Sequence, residues 1–180
     1  GDDSILYAII RELKQKQPNV RIATLSKTPS VTAEIYGIDA INRFNVISVL
    51  YRLSRTKLLI SGGGSLIQDV TSTKSLAYYL AIINAAKLMG KKVMLYANGI
   101  GPVKNHANFS KVKSTLNRVD LITLREPSSF EELKKFGVDK PRTVVTADPA
   151  FNLFSASEKE TEERLVRIGI EKGKKYFAAA

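Results

Sequence analysis

The sequence contains no cysteine and no tryptophan, and its only histidine is His106. Without a thiol the chain has no cysteine nucleophile, no CxxC redox pair and no zinc–thiolate site, and the lack of disulfides fits a reducing compartment. His106 lies in a polar turn around which no Ser–His–Asp triad can be assembled, so we expect a solvated loop residue. No residues with metal-ligand spacing are visible, and we expect no metal site.

The sequence also lacks a long apolar run. Its longest mostly apolar stretch without a charge or a proline is 75–86, which is twelve residues, whereas a membrane-spanning helix needs about 20. The chain opens on the acidic segment GDD, where a signal peptide has a positive region, so no signal peptide is expected there.

Acidic residues are few relative to basic ones. Seventeen Asp and Glu stand against 28 Lys and Arg, which gives a formal net charge of +11. This excess favours an anionic partner: a phosphorylated small molecule, a nucleic acid or a membrane surface. Basic clusters of this kind are usually solvated, but an anionic acceptor or a lipid surface would be attracted to them. The two clusters are Lys104, Lys111, Lys113 and Arg118, and Arg52, Arg55 and Lys57.

The pattern of apolar residues predicts alternating helices and strands in 180 residues that are 44% hydrophobic and 25% charged. Helical spacing predicts helices over 3–16, 28–37, 45–53, 75–89, 108–117, 128–136 and 159–167, the sixth with a capping box of Ser128 and Glu131. Short apolar runs predict strands at 20–26, 58–60, 93–97, 121–124 and 143–145. Uninterrupted apolar strands separated by helices indicate a Rossmann-like α/β fold, a parallel sheet with helices on both faces.

The two ends of the sequence suggest how the domains are organised. A doubly wound domain starts with a strand, whereas this chain starts with a helix, so we expect the first strand and its turn to be missing. We predict a Rossmann-like N-terminal domain over 1–154, a linker with a helix over 155–174, and the start of a truncated second domain at 175–180.

Polar turns follow the predicted strands, at the sheet edge where open parallel sheets bind ligands. Three glycines, Gly62, Gly63 and Gly64, followed by Ser65, would let a phosphate or a sugar approach the backbone closely. The alternative is a tight strand exit without a ligand, since the turn has neither the Walker A lysine nor the GxGxxG pattern. Gln68 and Asp69 lie just beyond, where Asp69 would accept a sugar hydroxyl or cap a helix. Asn98 and Gly99 form a second such turn, whose alternative is a rigid connection.

The turn after the fourth apolar run carries the most informative cation. Arg125 leaves the predicted strand just before a helix N-terminus with two hydroxyls, Ser128 and Ser129, a combination suited to a carboxylate or a phosphate. The alternative is a structural ion pair of Arg125 with Glu126 or Asp148. Because Pro149 holds the preceding residue extended, Asp148 is aimed from its strand end, to bind a hydroxyl or to orient Arg125.

Five segments together resemble the polysaccharide pyruvyl transferase family, most closely its bacterial CsaB proteins, in order and spacing over about residues 1–154. These segments are GDDSIL at 1–6, SGGGSLIQD at 61–69, NGIGP at 98–102, LREPSS at 124–129 and TADPAF at 146–151. The resemblance implies the N-terminal half of a two-domain fold like that of GT-B glycosyltransferases. It implies transfer of pyruvate from phosphoenolpyruvate to a sugar as a ketal across two hydroxyls, without a cofactor.

For the CsaB type, the resemblance implies a lipid-linked or nucleotide-linked N-acetylmannosamine acceptor of a cell-wall polymer that anchors surface-layer proteins. It also implies cytoplasmic action, with peripheral contact to the inner membrane face. Asp2 would face the cleft and Arg125 would contact phosphoenolpyruvate, both as catalytic residues. Ser128 and Ser129 would help to bind the donor, and the two glycine turns with Gln68, Asp69 and Asp148 would bind the acceptor. A histidine acid/base is expected in the missing half, so this chain alone is expected to be inactive.

Two other functions remain open at the level of sequence. A nucleotide-sugar glycosyltransferase has the same architecture, and its glycine turns would serve a diphosphate equally well. A nucleic-acid-binding module is suggested by the net charge alone. Against it, the aromatic residues do not interleave with the basic ones as base-stacking platforms do.

Overall fold

The computed structural model describes residues 2–153, 157–170 and 173–176, with the side chain of Asp2 outside this description. Helices and strands alternate along the described chain. The helices are α1 (Asp2–Lys16), α2 (Pro29–Tyr36), α3 (Val46–Ser54), α4 (Thr73–Leu88), α5 (Phe109–Leu116), α6 (Pro127–Phe136) and α7 (Glu158–Arg167). The strands are β1 (Ala23–Ser26), β2 (Asp39–Asn42), β3 (Leu58–Gly62), β4 (Lys92–Asn98), β5 (Leu121–Leu124) and β6 (Arg142–Val145). Two short 3-10 helices cover His106–Asn108 and Pro149–Asn152.

The strands form two parallel sheets. Strands β3, β4, β5 and β6 lie side by side in chain order, and β1 pairs in parallel with β2. Each parallel neighbour is reached through a helical crossover, as parallel strands require. The predicted Rossmann-like α/β architecture is therefore confirmed, and the carboxyl ends of β3 to β6 share one edge.

The core lies between the larger sheet and its helices. Val93 and Leu95 of β4 and Ile122 and Leu124 of β5 have no accessible surface, and side chains of α4, α5 and α6 pack against them. The helices packed on the sheet bury these side chains, which explains the apolar runs in the sequence. This rigid centre positions the loops that leave β4 and β5.

Strand β2 was missed at the level of sequence. Its four residues, Asp39 to Asn42, begin and end with polar side chains, so no apolar run marks them. The strand exists because it pairs with β1 in register from Ala23 with Asp39 to Ser26 with Asn42. Non-local pairing thus overrides a weak local preference.

The predicted capping box at the start of α6 is wrong. The helix begins at Pro127, its N-cap is Glu126, and it has no side-chain capping hydrogen bond. Proline favours the first helical position because its fixed φ suits the helix, so Ser128 already lies within the first turn. The predicted start of a second domain at 175–180 lies mostly outside the described residues, and the domain boundaries stay predictions.

None of the helices described in the structure is long and apolar enough to span a membrane.

An ion-pair network at the amino-terminal edge of the larger sheet yields a stability prediction. Asp120 accepts hydrogen bonds from Lys87 Nζ at 2.7 Å, Lys92 Nζ at 2.9 Å and the Val93 N–H at 2.9 Å. Partial burial raises the pKa of Asp120, but these hydrogen bonds outweigh it and hold that pKa well below its ordinary value. A carboxylate with a depressed pKa stabilises the fold above its unfolded pKa of about 4, and this contribution is lost as the pH falls below that value.

We therefore expect Asp120→Asn to lower the free energy of unfolding by about 1–2 kcal/mol at pH 7. The difference from wild type should shrink progressively as the pH falls below about 4, because the unfolded chain then binds a proton at Asp120 that the folded state does not yet bind. Urea denaturation at several pH values measures it. The exposed Asp139 is the matched control, and equal effects of Asp139→Asn and Asp120→Asn would contradict the account.

Candidate functional site

The site is built from the loops that follow the four strands of the larger sheet. These strands end at Gly62, Asn98, Leu124 and Val145, and their parallel order places the next residues at one edge. Backbone hydrogen bonds tie neighbouring loops together: the Gly99 N–H donates to Gly64 O at 3.0 Å. Open parallel sheets bind ligands at this carboxyl edge.

Arg125 brings three of these loops together. Its Nη2 donates to Ser65 Oγ at 3.3 Å, and its Nη1 donates to Asp148 Oδ2 at 3.4 Å. The side chains of Arg125 and Asp148 remain 29% and 23% exposed. The guanidinium is therefore oriented by neutral and anionic partners while part of it still faces solvent.

The carboxylate of Asp148 contacts both Arg125 and the backbone of its own loop. Its backbone is extended, as Pro149 predicted, and its Oδ1 accepts the Ala150 N–H at 2.9 Å at the start of a 3-10 helix. One carboxylate oxygen thus fixes the loop while the other meets Arg125. This geometry agrees with the prediction that Asp148 orients Arg125, and a contact of Asp148 with an acceptor stays a prediction.

Gly99 lies close to the side chains of Arg125, Ser65 and Glu126. A Cβ atom built at this position would lie 2.6 Å from Ser65 Oγ, 3.1 Å from Arg125 Nη2 and 3.3 Å from Glu126 Oε1. Glycine is required here for close approach, because any side chain would occupy the space where these polar groups meet. We name Ser65, Gly99, Arg125, Glu126 and Asp148 the Arg125 cluster.

We expect Gly99→Ala, made in the full-length protein, to raise the KM for the predicted anionic donor about tenfold and to change the free energy of unfolding by less than about 1 kcal/mol. The added methyl group meets the ends of movable side chains, so it displaces Ser65 and Arg125 without clashing with the backbone. Steady-state kinetics and urea denaturation of the same variant measure the two effects. An unchanged KM would show that the donor does not depend on the Arg125 cluster.

Glu126 is the residue of this cluster to which sequence reasoning assigned no ligand role. Ser129 Oγ donates to Glu126 Oε1 at 3.3 Å and accepts the Ile100 N–H at 2.8 Å. Ser129 is 1% exposed, so its hydroxyl joins α6 to the Gly99 turn. Its predicted contact with a donor stays a prediction. The sequence signal that could have pointed to Glu126 is its position between Arg125, at the end of the strand, and Pro127, at the start of the helix.

Ser128 is exposed in the first turn of α6, beside Arg125 in sequence. The first backbone N–H groups of a helix lack intrahelical acceptors and favour anions. The role of Ser128 on the donor side stays a prediction.

Helix α1 packs against the first two glycines of the triple-glycine turn. A Cβ atom at Gly62 would lie 2.7 Å from Ile9 Cδ1, and one at Gly63 would overlap Ile5. The packing of α1 thus requires glycine at these two positions, and their contact with an acceptor stays a prediction. Gly64, with a φ of 68°, and the exposed Ser65 carry the chain to the Arg125 cluster.

Asn98 is a structural residue in this structure. It has no accessible surface, and its Nδ2 donates to Ser61 O at 2.7 Å and to Tyr96 O at 3.2 Å. The side chain braces the ends of β3 and β4. Its predicted contact with an acceptor stays a prediction.

Asp69 holds the loop that follows the Gly99 turn. Its carboxylate accepts the N–H groups of Lys104 at 2.7 Å and Asn105 at 3.1 Å, and Asn108 Nδ2 at 2.9 Å. Burial alone would raise the pKa of Asp69, but these hydrogen bonds lower it by more. The pKa of Asp69 therefore lies below its ordinary value. Gln68 is bound locally, by Thr71. The predicted contacts of Asp69 and Gln68 with an acceptor stay predictions.

His106 lies on this loop, at the start of a 3-10 helix, and its ring centroid lies 4.7 Å from that of Phe109. It is exposed, as predicted. Across the described ranges, no group of three or more His, Asp and Glu side chains is arranged to hold a metal ion. The side chain of Asp2, the other predicted catalytic residue, lies outside the described residues.

The Arg125 cluster has the composition of an anion site with hydroxyl-binding groups at its rim. A partly exposed guanidinium and helix amides attract a carboxylate or a phosphate. Ser65, Glu126 and Asp148 add hydroxyl and carboxylate oxygens that hydrogen-bond sugar hydroxyls.

Comparison with known proteins identifies the family of this chain. No curated protein matches it. The family model described as polysaccharide pyruvyl transferase matches residues 1–179, which is nearly the whole sequence. A match of this extent includes all four loops of the larger sheet. The chain belongs to the polysaccharide pyruvyl transferase family.

Proposed function

We propose that the protein takes part in the transfer of pyruvate from phosphoenolpyruvate to a sugar of a polysaccharide precursor. Protonation of the methylene carbon of the enol makes its neighbouring carbon electrophilic, and one sugar hydroxyl adds there. A second hydroxyl then displaces inorganic phosphate and closes the ketal. The step consumes one diol and one phosphoenolpyruvate, and no oxidant, reductant or further cofactor enters the balance.

The observation that carries this proposal is the position of Arg125. It stands at the carboxyl edge of the sheet, beside the N-terminus of α6, and is held by Ser65 and Asp148. Phosphoenolpyruvate carries a carboxylate and a phosphate on three carbons, so a fixed, partly exposed guanidinium can bind either group with two parallel hydrogen bonds. In the transition state, such a preorganised cation offsets the charge on the leaving phosphate.

The acceptor side of the proposal rests on family membership and on the hydroxyl-binding rim of the cluster. We propose an N-acetylmannosamine-type sugar on a lipid-linked or nucleotide-linked cell-wall precursor, as in CsaB proteins, with a product that anchors surface-layer proteins. Such a precursor would be modified in the cytoplasm at the inner face of the membrane.

The proton donor completes the proposal. Within the Arg125 cluster the titratable side chains are those of Glu126 and Asp148, and each holds the structure through a hydrogen bond. We propose a histidine outside residues 1–180 as the general acid, as in the family, so that residues 1–180 alone bind the donor without turning it over. General acids of this kind contribute about 10²–10⁴-fold to the rate.

The experiment is a substrate test with the full-length protein that carries this sequence. It is incubated with phosphoenolpyruvate, with a uridine diphosphate sugar, or with both, in the presence of an N-acetylmannosamine acceptor. The proposal predicts acceptor-dependent release of inorganic phosphate from phosphoenolpyruvate and a gain of the pyruvyl mass on the acceptor. Consumption of the nucleotide sugar alone, with formation of a glycosidic bond, would overturn it.

A further inference from the structure

Helix α3 presents a row of apolar side chains to solvent. Phe44 and Val46 are each 66% exposed, Ile47 is 82% exposed, Leu50 38% and Tyr51 58%. We name these five residues the α3 surface. The opposite side of the helix already packs into the core through Val49 and Leu53. Contiguous exposed apolar patches on a folded domain mark interaction sites.

The charges around this surface are of one sign. The sequence has no Asp or Glu between Asp39 and Asp69, and in the same interval it has Arg43, Arg52, Arg55 and Lys57. Asp39, at the near end, is paired with Arg52 at 3.0 Å. A partner that covers the α3 surface therefore meets a positive rim.

The aromatic residues of the surface lie beside these cations. The Arg55 guanidinium carbon lies 4.7 Å from the centroid of the Tyr51 ring, and that of Arg43 lies 5.0 Å from the centroid of the Phe44 ring. Aromatic rings next to arginines combine an apolar body with a polar edge. Amphipathic helices that lie in the plane of a membrane interface have this combination of apolar, aromatic and basic residues.

The C-terminal end of α4 extends the same pattern. Leu88 is 76% exposed and Met89 37% exposed, and Lys91 and Lys92 follow them. Lys91 Nζ donates to Ser54 O at 2.6 Å, which fixes this end of α4 beside the end of α3. The end of α4 thus adds exposed apolar side chains next to Lys91, while Lys92 is paired with Asp120.

We propose that the α3 surface docks on the headgroup region of an anionic lipid bilayer, with its apolar side chains inserted and its cations against the lipid charges. A second copy of the chain docked through the same surface would bring two positive rims together, and this repulsion disfavours a symmetric dimer. An anionic bilayer complements both the apolar and the charged part. This inference rests on the proposed function, for which it supplies the membrane contact. Its test requires neither substrate nor turnover, so the two proposals can fail separately.

The test is sedimentation of the 180-residue chain with large vesicles. One set is made of phosphatidylcholine and the other contains about one third phosphatidylglycerol. We expect binding to the anionic vesicles, little binding to the neutral ones, and release by about 0.5 M salt, since attraction between exposed charges is screened. Equal binding to both sets, or no binding to either, would overturn the proposal.

Variants then locate the contact. Ile47→Gln combined with Tyr51→Gln should weaken binding about tenfold, and so should Arg55→Gln combined with Lys57→Gln. The controls are Ile35→Gln, at an isoleucine of α2 that is 65% exposed, and the α7 pair Lys159→Gln with Arg167→Gln, which removes the same charge. Both controls should bind as wild type does.

Two results contradict this assignment. Loss of binding in the controls to the same extent would show that net charge alone drives the association. A concentration-dependent dimer of the wild type in light scattering that Ile47→Gln abolishes would assign the α3 surface to a second copy. Thermal melting of each variant confirms that the fold is retained, which the high exposure of the replaced side chains leads us to expect.

Discussion

Replacement of Arg125 with alanine is expected to lower kcat/KM for phosphoenolpyruvate-dependent pyruvyl transfer by about 10²–10³-fold in the full-length protein. The substitution removes the one cation that Ser65 and Asp148 hold at the carboxyl edge of the sheet. Steady-state release of phosphate measures the effect. The fold should persist, because the side chain lies outside the core cluster.

Arg125→Lys separates charge from geometry. Lysine keeps the positive charge but lacks the planar fork that binds a carboxylate or a phosphate through two hydrogen bonds. We expect it to recover only part of the lost activity, with an increase in KM. The matched control is Arg118→Ala, which removes a surface arginine after α5. Activity of Arg125→Ala equal to that of Arg118→Ala would show that Arg125 takes no part in the reaction.

Gly63→Ala should produce the largest loss of stability, about 3 kcal/mol or more in the free energy of unfolding. Gly63 has a φ of 70°, which strains an alanine, and the added Cβ would overlap the side chain of Ile5 on α1. Two costs therefore act together: backbone strain of about 1 kcal/mol and the displacement of a helix packed on the sheet.

Gly37→Ala is the control for the backbone part. Gly37 has a φ of 59°, but no atom lies within 4 Å of an added Cβ. The difference between the two variants in urea denaturation measures the packing of α1 against the end of β3. Shortening the opposing side chain through Ile5→Ala should recover part of the loss in the double variant. Equal costs for Gly63→Ala and Gly37→Ala would contradict this packing.

The order of helices and strands was largely predictable because their signals are local. Leu121, Ile122 and Leu124 of β5, for example, form a short and largely buried apolar run that only Thr123 interrupts. Strand β2 carries no such signal, since its pairing with β1 stabilises it rather than its composition. The start of α6 was misplaced because a serine and a glutamate at capping spacing also occur where Pro127 begins the helix.

The sequence predicted which residues lie together at the site, but it did not predict the individual contacts that each of them makes. A polar turn after a parallel strand indicates which edge a residue occupies, so Ser65, Arg125 and Asp148 were expected together. Whether a glycine faces a ligand or a helix depends on what packs over it. The residues next to Gly63 in the sequence do not indicate that Ile5 of α1 packs against it. Likewise, Asn98 shares its turn with Gly99, yet the first is buried in the sheet and the second forms the floor of the cluster.

The central claim is that the Arg125 cluster binds phosphoenolpyruvate. The most direct test is a titration of the ¹⁵N-labelled chain with phosphoenolpyruvate, followed through the backbone amide resonances. The account predicts the largest shifts at Ser65, Gly99, Arg125 and Ser128, and their loss in Arg125→Ala. Shifts confined to the basic residues of α5, or shifts at the cluster that persist in Arg125→Ala, would contradict it.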